Sequence, residues 1–321
     1  MRKVRMMLFA LGLLAVVGGC VTIPLKSGSY YLEKKEYAEG IEFQRQWLAE
    51  HPDDAGAYYY LGRYYLAMEK PDQALPYIKR AVELDPEDAD YLFWLGVNHW
   101  ALMEYDQERA AYQRAVAADP DHISAHLYLG HGYVDDKDWT RALAQYDTVL
   151  RLDPYNPEAL YNRALALNGL GKTDDEEAAL KRFLEDYPDG SLAMRAAARL
   201  NQLGDFTYRN HIIGARNVTL RGMTFKKWSG ELDLDSKESL HVIEAMLHEN
   251  KTLVLHVVAY KKGDLAGARK MALAVRDYIL EGRRVAPGQL PTSWFDTAEE
   301  VEEGGERYSL DRSVQFVTAT R

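Results

Sequence analysis

The chain has 321 residues, 47% hydrophobic and 27% charged, with a formal net charge of -10. This is ordinary globular composition, long enough for two domains with sizeable cores, and it excludes disorder as the default state. The acidic balance disfavours nucleic acid as a partner, because that binding draws on excess Lys and Arg, and gives no electrostatic help at an anionic lipid surface.

The first element is a cationic start, Arg2, Lys3 and Arg5, followed by an apolar run from Met7 to Val17. The run is about half the length needed to span a bilayer, so residues 1–19 read as a cleavable signal peptide. It ends in Val17-Gly18-Gly19-Cys20, which resembles the bacterial lipobox. Small residues there let a peptidase reach the scissile bond, and the thiol carries the lipid. The resemblance implies that Cys20 is the first residue of the mature protein and bears diacylglyceryl and palmitate; a plain secretory signal or an N-terminal anchor, with an incidental cysteine, is the alternative.

Cys20 is the only cysteine, so no disulfide can form within one mature chain even in a compartment that permits one. Val21 stands where the enteric-type sorting rule would require aspartate for inner-membrane retention, so the resemblance implies an outer-membrane lipoprotein facing the periplasm. Loss of the three basic residues in 1–19 moves the net charge from -10 to -13. Membrane attachment would then rest on the acyl chains, each buried methylene contributing about 0.8 kcal/mol.

A strict period follows. Pro52, Pro86, Pro120, Pro154 and Pro188 are each 34 residues apart. Leu61-Gly62, Leu95-Gly96 and Leu129-Gly130 keep the same phase, with Arg163-Ala164 in the fourth place, and Ala74 and Ala142 form another series. A fixed period of this length marks stacked supersecondary units. Leu61-Gly62, Tyr65, Ala74, Ile78, Ala81 and Pro86 resemble the tetratricopeptide-repeat (TPR) pattern, and the resemblance covers residues 21–188. Gly62, Ala74 and Ala81 let the two helices of a repeat approach closely. Each proline ends a second helix, and Asp53-Asp54, Glu87-Asp88 and Asn156 can cap the next one.

Two departures carry expectations. Glu108 and Glu176 occupy the small-residue position, which predicts splayed or shifted helix pairs there. The leading repeat, near residues 21–54, keeps the phase with Gly28, Tyr31 and Gly40 but has Ser27 at the leucine position and Trp47 where a small residue is usual. A further helix over Ser191 to Leu203, with Leu192, Ala196 and Leu200 on one face, would cover the last repeat as solenoids require. It ends at Gly204, the expected boundary of a superhelix over residues 20–204.

In the TPR family the first helix of each repeat lines a concave groove, and the resemblance implies that Tyr59, Arg63, Leu66, Phe93, Val97, Trp100, Leu127, His131, Tyr161, Leu165 and Asn168 face it. This set does not match the Lys and Asn pattern with which some TPR domains hold chaperone C-termini. An aromatic groove suits an apolar helix or an extended peptide of an envelope protein. The alternative is that Phe93, Trp100 and Tyr161 are buried by neighbouring helices or by the N-terminal segment.

Residues 205–321 change rhythm. Val218-Thr219-Leu220 and Phe225 suggest a strand, Leu240, Ile243 and Leu247 a helix, and Leu253 to Tyr260 a strand. Leu265, Ala268, Ala272, Val275 and Ile279 suggest a second helix, and Val314, Phe316 and Thr318 a closing strand. A smaller α/β domain of β-α-β-α-β order follows the α-solenoid. Val218 to Phe225, Leu240 to Leu247, Val275-Arg276-Asp277-Tyr278-Ile279 and Asp311-Arg312-Ser313-Val314-Gln315-Phe316 resemble the OmpA-like peptidoglycan-binding domain over 217–319. That family holds a diaminopimelate carboxylate with an aspartate after the second strand and an arginine on the second helix. Lys261 and Met271 fall near those positions here, and Asp264 and Arg269 could substitute only with different local geometry. The resemblance therefore implies a retained fold with lost or altered wall binding.

Other motifs carry no chemistry. Gly171-Lys172-Thr173 looks like the end of a phosphate-binding loop, but Ala166 stands at the required earlier glycine and the triplet falls at an interhelical turn. His241 and His248 lie roughly 10 Å apart on one helix, too far to share a metal, and His122, His126 and His131 read as solvated or packed. Glu299, Glu300, Glu302 and Glu303 beside Gly304-Gly305 read as a solvated loop. No metal, cofactor or catalytic site is expected. The sequence predicts a lipid-anchored scaffold that binds envelope proteins through its groove, with a peptidoglycan tether as the alternative.

Overall fold

The computed structural model describes residues 28–226 and 231–318. The signal peptide, the lipobox with Cys20, and Ser27 lie outside the described residues. The chain divides into two compact units, residues 1–104 and 105–321.

The described part of the first unit is five helices: α1 (Gly28–Glu33), α2 (Tyr37–Glu50), α3 (Ala55–Ala67), α4 (Pro71–Leu84) and α5 (Ala89–Ala101). Its core is built from Tyr31, Leu61, Tyr64, Ala74, Ile78 and Ala81, all buried. A Cβ on Gly62 would stand 2.2 Å from Ile78 Cγ1, so only glycine lets α3 lie this close to α4. In the leading repeat, the Tyr64 hydroxyl donates to the Gly28 carbonyl at 2.8 Å. Trp47, anomalous in the sequence pattern, stacks on His51 and donates its indole N–H to Asp54 at 2.7 Å.

The second unit opens with α6 (Tyr105–Ala118), α7 (Ile123–Asp135), α8 (Trp139–Leu152), α9 (Pro157–Gly169), α10 (Thr173–Asp186) and α11 (Gly190–Gln202). The 34-residue phase is written into the chain's turns. Asp54, Asp88, His122 and Asn156 each cap a first helix by accepting from the backbone N–H three residues on, which satisfies a donor the helix leaves open. Within the repeats, Lys35, Glu69, Met103, Lys137 and Gly171 all have φ between 57° and 70°. Only the last is the residue type that favours this left-handed turn.

The shifted register expected at Glu108 and Glu176 is not observed, and the α9–α10 pair that holds Glu176 packs without splaying. α4, α6, α8 and α10 begin at 71, 105, 139 and 173 without slippage, and both glutamates are buried in their helices. Glu176 is accommodated because Arg199 of α11 meets its carboxylate with two bonds, 2.7 and 3.0 Å. Glu108 has another solution. Burial, with Asp135 adding to it, pushes its carboxyl up to about 7, so its charge is titrated away at mildly acidic pH.

α11 buries Ala193, Ala196, Ala197 and Leu200 against Leu160, Ala164, Leu180 and Phe183 of α9 and α10. Its other side is also used. Asn201 donates its amide to the carbonyls of Asp205 and Tyr208 at 2.9 and 2.7 Å, and Asn210 donates to that of Met194 at 2.8 Å. The capping helix thus carries the following strands on its far face.

Those strands are β1 (Tyr208–Ile213) and β2 (Arg216–Arg221), an antiparallel hairpin. Then come α12 (Leu234–Glu249), β3 (Leu255–Lys261), α13 (Leu265–Glu281), β4 (Thr292–Phe295), β5 (Glu299–Glu303), β6 (Glu306–Leu310) and β7 (Arg312–Thr318). The central sheet has order β4-β3-β7, with β3 parallel to β4 across the α13 crossover and antiparallel to β7. Leu240, Ile243, Leu247, Leu255, Val257, Met271, Val275 and Phe316 fill its core.

Two expectations for this region are corrected. The opening strand pairs with the unanticipated β1 in a separate hairpin and is not a member of the β3 sheet. The acidic stretch is not a solvated loop but strand β5, paired with β6. Glu299, its first residue, is buried because Arg209 neutralises it through two bonds of 2.8 and 3.0 Å.

Candidate protein-interaction site

In the first unit, α3 presents Tyr59 and Arg63 one turn apart, and the arginine is held in a ring-lined seat. Its guanidinium lies 3.3 Å from the centroid of Trp94 and 5.4 Å from that of Tyr59, whose hydroxyl also accepts from it. Tyr91 stands 4.9 Å from Tyr59. Burial raises both phenols, Tyr91 to about 12 with Asp88 contributing, so both stay neutral donors at physiological pH. Arg63 is thereby preorganised, a planar cation stacked on aromatic faces.

Trp94 takes the place expected of Phe93. Phe93 is buried and meets Trp94 edge-on at 5.4 Å. One step along a helix rotates a side chain by about 100°, enough to exchange core for surface. Val97 and Leu66 are half-buried, and Trp100 is 58% exposed. Tyr91 and Trp94 lie off the family's groove positions, and the repeat pattern does not encode which face α5 buries.

In the second unit Leu127 is buried and offers a partner little surface. His131 is half-buried beside Tyr128 and Tyr146, at 5.6 and 5.8 Å, and its Nε2 lies 3.2 Å from the Asn162 amide. Burial lowers its pKa, against the opposing pull of Glu158 and Asp135. Tyr161, Leu165 and Asn168 come together in a pocket of about 310 Å³, completed by Glu176 and by Arg195, Arg199 and Gln202 of α11. The α11 residues were missed because the capping helix lies outside the repeat pattern.

Asp264 and Arg269 are held by separate partners. Asp264 caps α13, accepting from Gly267 N–H at 2.8 Å, and pairs with Lys261 at 2.6 Å. The Lys261 bond, then the Gly267 bond, holds its carboxyl below the usual range. Arg269 lies 5.6 Å from the Trp294 ring, and Met271 is buried in the core.

Gly171 shares the turn conformation of four non-glycine equivalents, which explains it without phosphate. His122 is a helix cap, His126 bonds Gln145 and the Pro120 carbonyl, and His241 and His248 bond Tyr278 and the Arg284 carbonyl. Among the described residues no group of three or more His, Cys, Asp or Glu could hold a metal ion, and no helix is long and apolar enough to cross a membrane.

Two tetratricopeptide-repeat family models match the chain, over residues 59–123 and 129–201. Among solved structures, Pseudomonas aeruginosa pilF is 18% identical with a TM-score of 0.51, the match covering 55% of this chain and 81% of that one. YrrB, described as a TPR protein with an unusual peptide-binding site, is 22% identical with a TM-score of 0.47, covering 53% and 87%. MamA is 24% identical with a TM-score of 0.46, covering 50% and 93%. No curated protein matches. The chain carries tetratricopeptide repeats in a helical solenoid, and such repeats point to a protein–protein interaction scaffold.

Proposed function

We propose that this protein is a lipid-anchored outer-membrane scaffold, not an enzyme, whose first-helix surfaces hold a protein or peptide of the bacterial envelope, with Cys20 as its lipid site. The observation that carries the binding surface is Arg63 seated on Trp94 and Tyr59, with Trp100 largely exposed on the same unit. Arg, Trp and Tyr are the residue types that most often dominate interface energetics, and a preorganised arginine loses less entropy on binding. The lipobox-like Val17 to Cys20 and the cationic, apolar N-terminus support the anchor.

The test is affinity capture from detergent-solubilised membranes with wild type and an Arg63→Ala, Trp100→Ala variant of matched helicity. A specific envelope protein retained by wild type and lost by the variant supports the reading. The same captured set from both opposes it. Mass spectrometry of the mature N-terminus tests the anchor separately, since an unmodified Cys20 would remove it.

A wall tether is the second reading. The order α12, β3, α13, β4 with β7 closing antiparallel against β3 supports an OmpA-like relationship, and the pairing of β2 outside that sheet counts against it. Asp264 is already committed to a helix N–H and to Lys261, which disfavours it as a wall ligand. Pull-down on purified sacculi, lost on deleting residues 217–321, would favour the tether.

A further inference from the structure

The pocket between α9, α10 and α11 runs against the charge of the chain that contains it. The protein has 49 acidic against 39 basic residues, yet the charged groups lining this pocket are Arg195, Arg199 and Glu176. Glu176 is not available to a ligand: its side chain is 3% exposed and both its oxygens are taken by Arg199. Arg195 is exposed and, among the described residues, forms no ion pair; its guanidinium lies 5.3 Å from the Tyr161 ring centroid. Asn168 accepts from Arg199 at 3.3 Å, which leaves its amide N–H groups, like those of Gln202, able to donate toward the pocket.

We propose that this pocket takes a carboxylate-bearing peptide segment, with Arg195 pairing the carboxylate and Tyr161 and Leu165 receiving the adjacent apolar side chain. The proposal rests on the reading of the first-helix surfaces as a peptide-binding site and gives that reading a ligand chemistry. The uncommitted donors are one-sided: Arg199 and Glu176 cancel each other, which leaves the Arg195 guanidinium and the amides of Asn168 and Gln202 lining the space. An anion there meets no free like charge, whereas a cationic segment would meet Arg195. The Tyr161 ring, 5.3 Å from the guanidinium carbon, offers it a cation–π contact on the pocket side, from which the planar fork can pair with a carboxylate. At about 310 Å³ the space suits a few side chains of an extended or helical segment, near the small end of ligand pockets.

The test is selection from a random heptapeptide phage library on the full chain purified in detergent, run in parallel on wild type, Arg195→Gln and Arg195→Lys. Arg195 is exposed, so both variants should keep the wild-type helicity. The expected result is enrichment of Asp or Glu beside an apolar residue on wild type and on the Lys variant, lost on the Gln variant. A selected peptide should bind wild type about tenfold more tightly than its Glu→Gln analogue, a margin typical of one charge-assisted contact. Arg195→Gln should erase that difference. Selected peptides without acidic bias, or an acidic bias that survives Arg195→Gln, would overturn the inference while leaving peptide binding standing. Failure of any peptide to be selected on wild type would overturn both.

Discussion

Arg209 and Glu299, 90 residues apart in sequence, form a two-bond ion pair of 3.0 and 2.8 Å with side chains only 13% and 3% exposed. Gln315 of β7 donates to the same carboxylate, so one buried charge pair ties β1, β5 and β7 together. Removing one partner strands the other in low dielectric. Glu299→Gln or Arg209→Met is expected to cost about 3–5 kcal/mol. Arg209→Met with Glu299→Leu should recover part of that loss, because no charge is then left buried. Urea unfolding followed by tryptophan fluorescence measures both.

The interhelical turns make a second prediction. Lys137 holds φ at 59°, whereas Gly171 holds the equivalent place at 70°. A side chain in this region is strained by about 1–2 kcal/mol, partly offset by the backbone entropy that glycine loses on folding. Lys137→Gly should therefore raise the unfolding free energy modestly, by about 0.5–1 kcal/mol. Gly171→Ala should lower it by a similar amount, read by helical circular dichroism.

Glu108 gives a pH dependence of known sign. Burial, reinforced by Asp135, raises its folded value from 4.5 to about 7, so over that window the folded chain binds more protons than the unfolded one. Its contribution is full below the unfolded value and is lost as pH rises through about 7. Glu108→Gln should remove this dependence and exceed wild type in stability at alkaline pH, by about 1–3 kcal/mol. Urea midpoints of the two proteins across pH check this, and parallel profiles would contradict it.

Close helix approach is testable at Gly62. An added Cβ would meet Ile78 Cγ1 at 2.2 Å, so Gly62→Ala should destabilise by about 1–3 kcal/mol. At the same phase the chain already carries Ala164, buried between α9 and α10. Gly62→Ala with Ile78→Ala should cost less than the two single changes added together, the signature of two residues competing for one space.

The repeats were legible because their determinants are local and periodic. Pro52 and its successors, the caps at Asp54, Asp88 and Asn156, and the glycine at 62 each act within a few residues of themselves. What escaped the sequence depends on partners far along the chain. Buried Glu176 is met by Arg199 of α11, and buried Glu299 by Arg209, 90 residues away. Trp94 replaced Phe93 because helix rotation is decided by packing, not by position in a repeat. Similarly, Arg195 gave no signal, since the capping helix has no repeat pattern to place it.

The central claim is that the first-helix surface is where a partner docks, and site-specific photocrosslinking in intact cells tests it most directly. A benzoylphenylalanine would be placed at Trp100, 58% exposed on α5, and in a parallel strain at Lys79, exposed on the second helix α4. The account predicts one discrete envelope-protein adduct from position 100 and none from position 79. Equal crosslinking from both positions, or an adduct from position 79 alone, would contradict it.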